Sequence, residues 1–462
     1  MDQYQYSTLE PTEKKIRLLL VERGERHRPI KCWLFDSYPD EEKGVSYKAL
    51  SYTWGTTADG WASQTRAIDV SGHRFMVTEN LYSALLEIRS AYEDVRLWVD
   101  SICINQNDKQ EKGHQVKQMG DIYEGAEEVL IWLGPKSDGT TSLLELITWI
   151  ESEAKNARAL GTEEDWASLC GRLMERRFRD PNVDALPTQH KALQRLLERP
   201  WFSRVWILQE VAKARKATIM CGSGSCPART FALMPSLMGL EVPDHTQVVL
   251  DIMPQIRKST WWSSQRTLHS LLVKFRESQA TLPRDKIYAL LGMSEDASDP
   301  EKFFPCYEKD DDQVIRDTLS FVLLGEILDP RSHLFPPATL LALSHPISLL
   351  AGRTLDWCLS QIVGYMPIDC ARRTARRLSD RMNEGQLPTR DILLPLIRVH
   401  PKLCQDRLLR LLNNDSPTQI VLHTVRHTIQ LILHSKGEMS CTLPYPKGSW
   451  LNAEPEGLES LL

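Results

Sequence analysis

Two apolar patterns alternate along the first 220 positions. Short, nearly unbroken apolar runs recur as "KIRLLLVE", "IKCWLFD", "YKALSYTWG", "VRLWVDSICIN", "EEVLIWLG" and "KATIMCG". Runs of this length, rich in β-branched and aromatic residues, suit strands rather than helices. The first two flank the polar "RGERHRP", as in a hairpin, and "AIDVSGHRFMVT" places two β-like runs about a Ser-Gly turn. Between the runs the period lengthens to that of a helix. In "TENLYSALLEIRSAYE", Thr78 can cap a helix whose Leu81, Leu85 and Ile88 share a face. In "DKQEKGHQVKQMGDIYEGA", Val116, Met119, Ile122 and Tyr123 form the stripe, Asp108 the cap, and Glu111 the third position of a capping box.

"VRLWVDSICIN" reads as one strand buried on both faces. Helices are expected at 142–160 and 163–178, then a polar, proline-containing link, "RDPNVDALPTQHK". A further helix follows over 201–214 in "RPWFSRVWILQEVAKA", before the closing strand "KATIMCG". Strand–helix alternation predicts an α/β fold with a mostly parallel sheet and helices on both faces. Ligands of such sheets sit beyond the carboxyl ends of the strands. Those ends carry Trp54–Gly55, the run from Asp100 to Gln106, and Gly134. After about 222 the pattern becomes helical with prolines between segments, including "SLLVKFRESQATLPRDKIYALLGMSED", and no repeat of fixed period occurs.

Composition narrows the class. The 462 residues are 25% charged and 42% hydrophobic with a formal net charge of -5, an ordinary globular balance that argues against a nucleic-acid coat protein. Ten scattered cysteines and an N-terminus without a basic-then-apolar pattern point to a reduced, cytoplasmic setting. No apolar run is long enough to span a bilayer. No G-x-x-x-x-G-K-[ST] or G-x-S-x-G occurs, and "CGSGSC" reads as a turn rather than a dinucleotide loop. The pairs Cys221/Cys226 and His423/His427 each lack the second pair that zinc needs, so no metal is expected. Arg372, Arg373, Arg376, Arg377 and Arg381 line a helix face without interleaved aromatics, which reads as solvated rather than nucleic-acid-binding.

Two acids stand out because they end apolar runs. Asp100 closes "LWVD", where an ionised group is costly unless paired; capping by Asp108 and Glu111 explains those acids and leaves Asp100 unexplained. On one helix, Ser203, Trp206, Glu210 and Lys213 would share a face. Glu210 then has two readings: a surface ion pair with Lys213, or a carboxylate desolvated beside Trp206 for acid–base or electrostatic work.

"YKALSYTWG", "LWVDSICINQNDKQEKGHQVKQMGDIYEGAEEVLIWLG" and "RPWFSRVWILQEVAKA", in this order, resemble the fungal heterokaryon-incompatibility (HET) domain over 47–222, with weaker likeness before it and at "PRDKIYALLG" after it. Ser101 departs from the alanine common there, and Gly113 and Gly120 loosen a helix that usually reads more strongly. The resemblance implies non-self recognition and programmed cell death, a distant similarity to TIR domains, and their flavodoxin-like fold. Some TIR domains cleave NAD+ between nicotinamide and ribose with the glutamate of a W-x-x-x-E helix; Trp206 to Glu210 has that spacing. The implied catalytic residue is Glu210, with Ser51, Tyr52, Trp54, Gly55, Asp100, Asn105, Gln106 and Trp206 as substrate-binding residues, Trp54 or Trp206 stacking on the nicotinamide ring. NAD+ would be substrate, and no bound cofactor is implied. Residues 1–46 would be N-terminal strands packed on the domain at 47–222, and 223–462 a mainly helical region. Self-association is implied, with another incompatibility or signalling protein as a further partner. The alternative is a non-catalytic, self-associating module.

Overall fold

The structure, a computed structural model, describes residues 4–321 apart from 11–12, 41, 55–64, 162–163, 179–185, 257–258, 264–265, 300–302, 312, 315–316 and 319–320. The chain divides into two compact units, Met1–Lys309 and Asp310–Leu462. The described residues of the second contribute a helical turn, in which Val314 N–H meets Asp310 C=O at 3.1 Å. The arginine face at 372–381 and the His423/His427 pair lie outside the described residues. Among the described residues no helix is long and apolar enough to cross a membrane.

Nine strands form one sheet: β1 (Ile16–Val21), β2 (Lys31–Ser37), β3 (Lys48–Tyr52), β4 (Thr65–Val70), β5 (His73–Thr78), β6 (Val95–Trp98), β7 (Glu128–Trp132), β8 (Ala217–Cys221) and β9 (Gly224–Pro227). They lie in the order β5-β4-β2-β1-β6-β3-β7-β8-β9. The central block β6-β3-β7-β8 is wholly parallel. Counted along the chain, its strands run second-first-third-fourth, the arrangement that opens a flavodoxin-like sheet. The flanks depart from the expected mostly parallel pattern: β1 pairs antiparallel with β2 and β6, β4 with β5, and β8 with β9. The β4–β5 turn holds Ser71 and Gly72 at φ 54° and 81°, the two positive values that a type I′ hairpin requires.

All five β7 residues are buried, as are Ala49 to Tyr52 of β3, because a parallel block is covered on both faces. Registers Tyr52↔Trp132 and Trp132↔Met220 bring the carboxyl ends of β3, β7 and β8 to one level, while β6 stops at Trp98 opposite Ala49 and the chain runs on from there into Asp100. The covering helices are α1 (Glu79–Ile88), α2 (Asp100–Cys103), α3 (Lys109–Gly125), α4 (Thr140–Ala159), α5 (Trp166–Phe178), α6 (Leu186–Leu197) and α7 (Trp206–Lys213). After the sheet follow α8 (Ala228–Leu237), α9 (Asp244–Asp251), α10 (Leu268–Lys274) and α11 (Asp285–Leu291).

Four local expectations are corrected. The run 95–105 is not one strand: β6 stops at Trp98 and Asp100 opens α2, whose Cys103 N–H bonds back to Val99 C=O. Asp108 does cap α3, accepting from Gln110 and Glu111 N–H, but Glu111 does not close a capping box. It turns instead to Arg17, which binds it through both terminal nitrogens (2.6 and 2.9 Å), and to Asn105 N–H at 2.8 Å. A buried arginine of β1 outcompetes a solvated cap for that carboxylate. The link at 179–191 holds the start of α6, and 201–214 is a 3-10 turn, Pro200–Ser203, followed by α7.

Candidate active site at the carboxyl ends of the strands

The bend between the 3-10 turn and α7 decides what Glu210 faces. Val205 and Trp206 begin a helix that buries Ile207 to Ala212, and Glu210 is 1% exposed. It does not pair with Lys213, whose Nζ sits 3.3 Å from Glu124 instead, so the surface ion-pair reading fails. Glu210 turns inward to β3. Ser51 Oγ accepts the indole N–H of Trp201 at 2.8 Å and directs its own proton to the Glu210 carboxyl. Oε2 of Glu210 has no donor among the described residues.

Burial pushes the Glu210 pKa up to about 7; Arg204 opposes the rise, Asp100 adds to it, and the Ser51 hydrogen bond opposes it. Asp100 is the second acid of the cluster. Burial raises its pKa as well, against Arg204, the Trp54 indole and the Ser101 N–H. Its Oδ2 accepts Trp54 Nε1–H at 2.8 Å and its Oδ1 accepts Ser101 N–H at 2.7 Å. Burial thus raises both carboxyls, and the charge of Arg204 restrains both. Arg204 itself donates to the Tyr52 carbonyl at the end of β3.

The structure thus brings Glu210, Ser51, Asp100 and Trp54 to one rim and adds Tyr52, whose hydroxyl donates to Ser101 Oγ at 2.6 Å. Gln106 reaches the same corner through the Asp100 carbonyl, 3.0 Å from its Nε2. Asn105 is spent on its own loop: its N–H meets Glu111, and its Oδ1 accepts Asn107 N–H at 3.2 Å. Trp206 gives its indole N–H to Asp285 at 3.1 Å and makes no hydrogen bond to the cluster. Trp54, 41% exposed, remains the aromatic available to a ligand at this rim. Gly55 lies outside the described residues. Sequence reasoning missed Arg204 and Trp201. Neither shares the helical face of Glu210, since both precede α7, and periodicity carries no signal across the bend.

A cavity of about 420 Å³ lies nearby, lined by Ser83 and Leu86 of α1, by Trp132, Pro135 and Lys136 after β7, and by the β8–β9 turn at Gly222 and Ser223. None of the predicted site residues lines it. The carboxyl cluster carries the chemistry and the cavity the empty volume; the chemistry weighs more, because an open groove of mixed charge is common on protein surfaces. Cys221 and Cys226 sit on β8 and β9, opposite Gly224 and Ile219, and no group of metal-holding side chains occurs among the described residues.

Comparisons with known proteins meet this region. No solved structure matches the chain significantly. Heterokaryon incompatibility protein 6, OR allele, of Neurospora crassa is 28% identical over 302 residues, which are 55% of this chain and 44% of that relative. The chain therefore matches less than half of that relative's length. Residues 47–210, from the residue before β3 to the buried carboxyl itself, match the family model described as Heterokaryon incompatibility protein (HET).

Proposed function

We propose that this chain acts in fungal non-self recognition and cell death, and that its 47–210 region hydrolyses NAD+ to nicotinamide and ADP-ribose. The HET match and the Neurospora relative support the first part. One observation carries the second: Glu210, buried at the strand-end rim, has a pKa near 7 and an oxygen without a donor. In the reaction the bond between the nicotinamide nitrogen and ribose C1′ breaks. Its electron pair neutralises the ring, and positive charge develops on the sugar as in glycoside cleavage. Ionised Glu210 accepts from the ribose hydroxyls and stabilises that charge. Water adds at C1′ and releases a proton. Trp54 offers its exposed ring to the nicotinamide, while Arg204 keeps the two carboxyls from both neutralising.

A second reading, a non-catalytic self-associating module, draws on the closure of the site, since Glu210 is 1% exposed. On the catalytic reading, self-association or a partner admits NAD+, which takes the place of the covering side chains and keeps Glu210 out of water. Purified protein, shown to be oligomeric, is incubated with NAD+ and free nicotinamide is measured. The expected result is release that Glu210→Gln lowers on the order of 100-fold or more. No release from assembled protein refutes hydrolysis, and undiminished release from Glu210→Gln refutes the site.

A further inference from the structure

α7 has eight residues and no side-chain cap at Val205, so it holds its place by tertiary contacts rather than by its own stability. Within the matched residues 47–210 it packs on α3 and β3; chain beyond them adds a second set of contacts. Gln279 N–H donates to Ser203 C=O at 2.6 Å and Gln279 C=O accepts Val205 N–H at 2.9 Å, a parallel bridge centred on Arg204. Next, Trp206 Nε1–H donates to Oδ2 of Asp285, the first residue of α11, at 3.1 Å. Tyr307 O–H takes the other carboxylate oxygen at 2.9 Å. Asp285 is 8% exposed and has one donor on each oxygen. Finally, the side chain of Gln209 lies against bare Gly292, where a Cβ would stand 2.1 Å from its Nε2.

Trp206 and Glu210 stand four apart, on one side of α7. Rotation of α7 about its axis, which the indole hydrogen bond opposes alongside the packing of α7 on α3, would carry Glu210 away from Ser51. We propose that Asp285, held by Tyr307, is a positioning residue for Glu210 that fixes the rotation of α7 through the indole of Trp206. The proposal rests on the reading of Glu210 given above, and its test registers Glu210 with or without turnover. The groups facing Asp285 are Tyr307, Trp206, Lys112 and Arg284. Those facing Glu210 are Arg204, Asp100 and Ser51, with the phenols of Tyr52 and Tyr123.

In the full chain, thermal melting is followed from pH 4.5 to 8.5 for the parent, Asp285→Asn and Tyr307→Phe, each with and without Glu210→Gln. The difference made by Glu210→Gln traces the ionisation of Glu210, with an inflection near pH 7 in the parent. Asp285→Asn is expected to move that inflection down by about half a pH unit or more, because a relaxed α7 admits solvent to the carboxyl. Tyr307→Phe moves it the same way and, since it keeps the carboxylate, carries the measurement if Asp285→Asn does not fold. An inflection unmoved in both variants overturns the proposal, because a purely structural loss lowers melting without shifting it. Should no variant release nicotinamide, the hydrolytic reading falls and the inflection still decides this one.

Discussion

At Glu210 burial and charge pull in opposite directions. Desolvation lifts its pKa and Arg204 restrains it, leaving a carboxyl near 7 with Ser51 as its donor. The cost appears in stability. In the unfolded chain the group ionises in the usual glutamate range, while in the fold it keeps its proton to about pH 7. Across that window the folded state holds a proton that the unfolded state has lost, so stability falls as pH rises, and Asp100 adds in the same direction. Glu210→Gln cannot ionise. It is expected to melt with the parent near pH 4.5 and above it at pH 8, by up to about 3 kcal/mol at about 1.4 kcal/mol for each pH unit in the window. Thermal melting across that range checks it; equal melting at pH 8 would mean that the carboxyl is solvated. The two acids were legible in the sequence because each ends an apolar run. Arg204, between a 3-10 turn and a helix, was not, since no periodic pattern spans that bend.

The elements show where pattern is sufficient and where it is not. The parallel block was legible because strands covered on both faces read as unbroken apolar runs. The break at Val99 was not, because α2 continues the apolar run of β6 with Ile102 and Cys103, both buried. Nor was the fate of Glu111, which depends on Arg17, far away in sequence and adjacent only after β1 joins β6. Gly113 and Gly120 read in sequence as loosening α3, and Gly125 carried no reading there; in the fold the glycines of α3 differ in what surrounds them. A Cβ on Gly113 meets nothing within 4 Å, whereas on Gly125 it would lie 2.0 Å from the Pro39 carbonyl oxygen. Gly113→Ala is therefore expected to stabilise by about 0.5–1 kcal/mol. Gly125→Ala, meeting rigid backbone, is expected to cost about 1–3 kcal/mol. Denaturant titration of both variants separates the two cases, and equal shifts would contradict the packing described for the end of α3.

On the scale of the molecule, the sheet and the helices that grip α7 form one compact unit, Met1–Lys309, although the family match ends at Glu210. The resemblance outlined a domain to 222, because motifs mark recurring residues and not the chain that packs on them. β9, at Gly224–Pro227, completes the sheet after that point, and Gln279 and Asp285 contact the start of α7 from later still. A chain ended at 222 is expected to lose cooperative melting, while one ended at 309 keeps it. Cooperative melting of the shorter chain would show that the later helices are dispensable. The central claim concerns the rim that this unit assembles: an ionised Glu210 cleaving NAD+. Its most direct measurement is the pH dependence of nicotinamide release by assembled protein. Release is predicted to rise with pH through a midpoint near 7, as Glu210 ionises, and in Glu210→Gln to lose that rise and fall on the order of 100-fold or more. Release that is flat across that range, or that keeps its profile in Glu210→Gln, would contradict it.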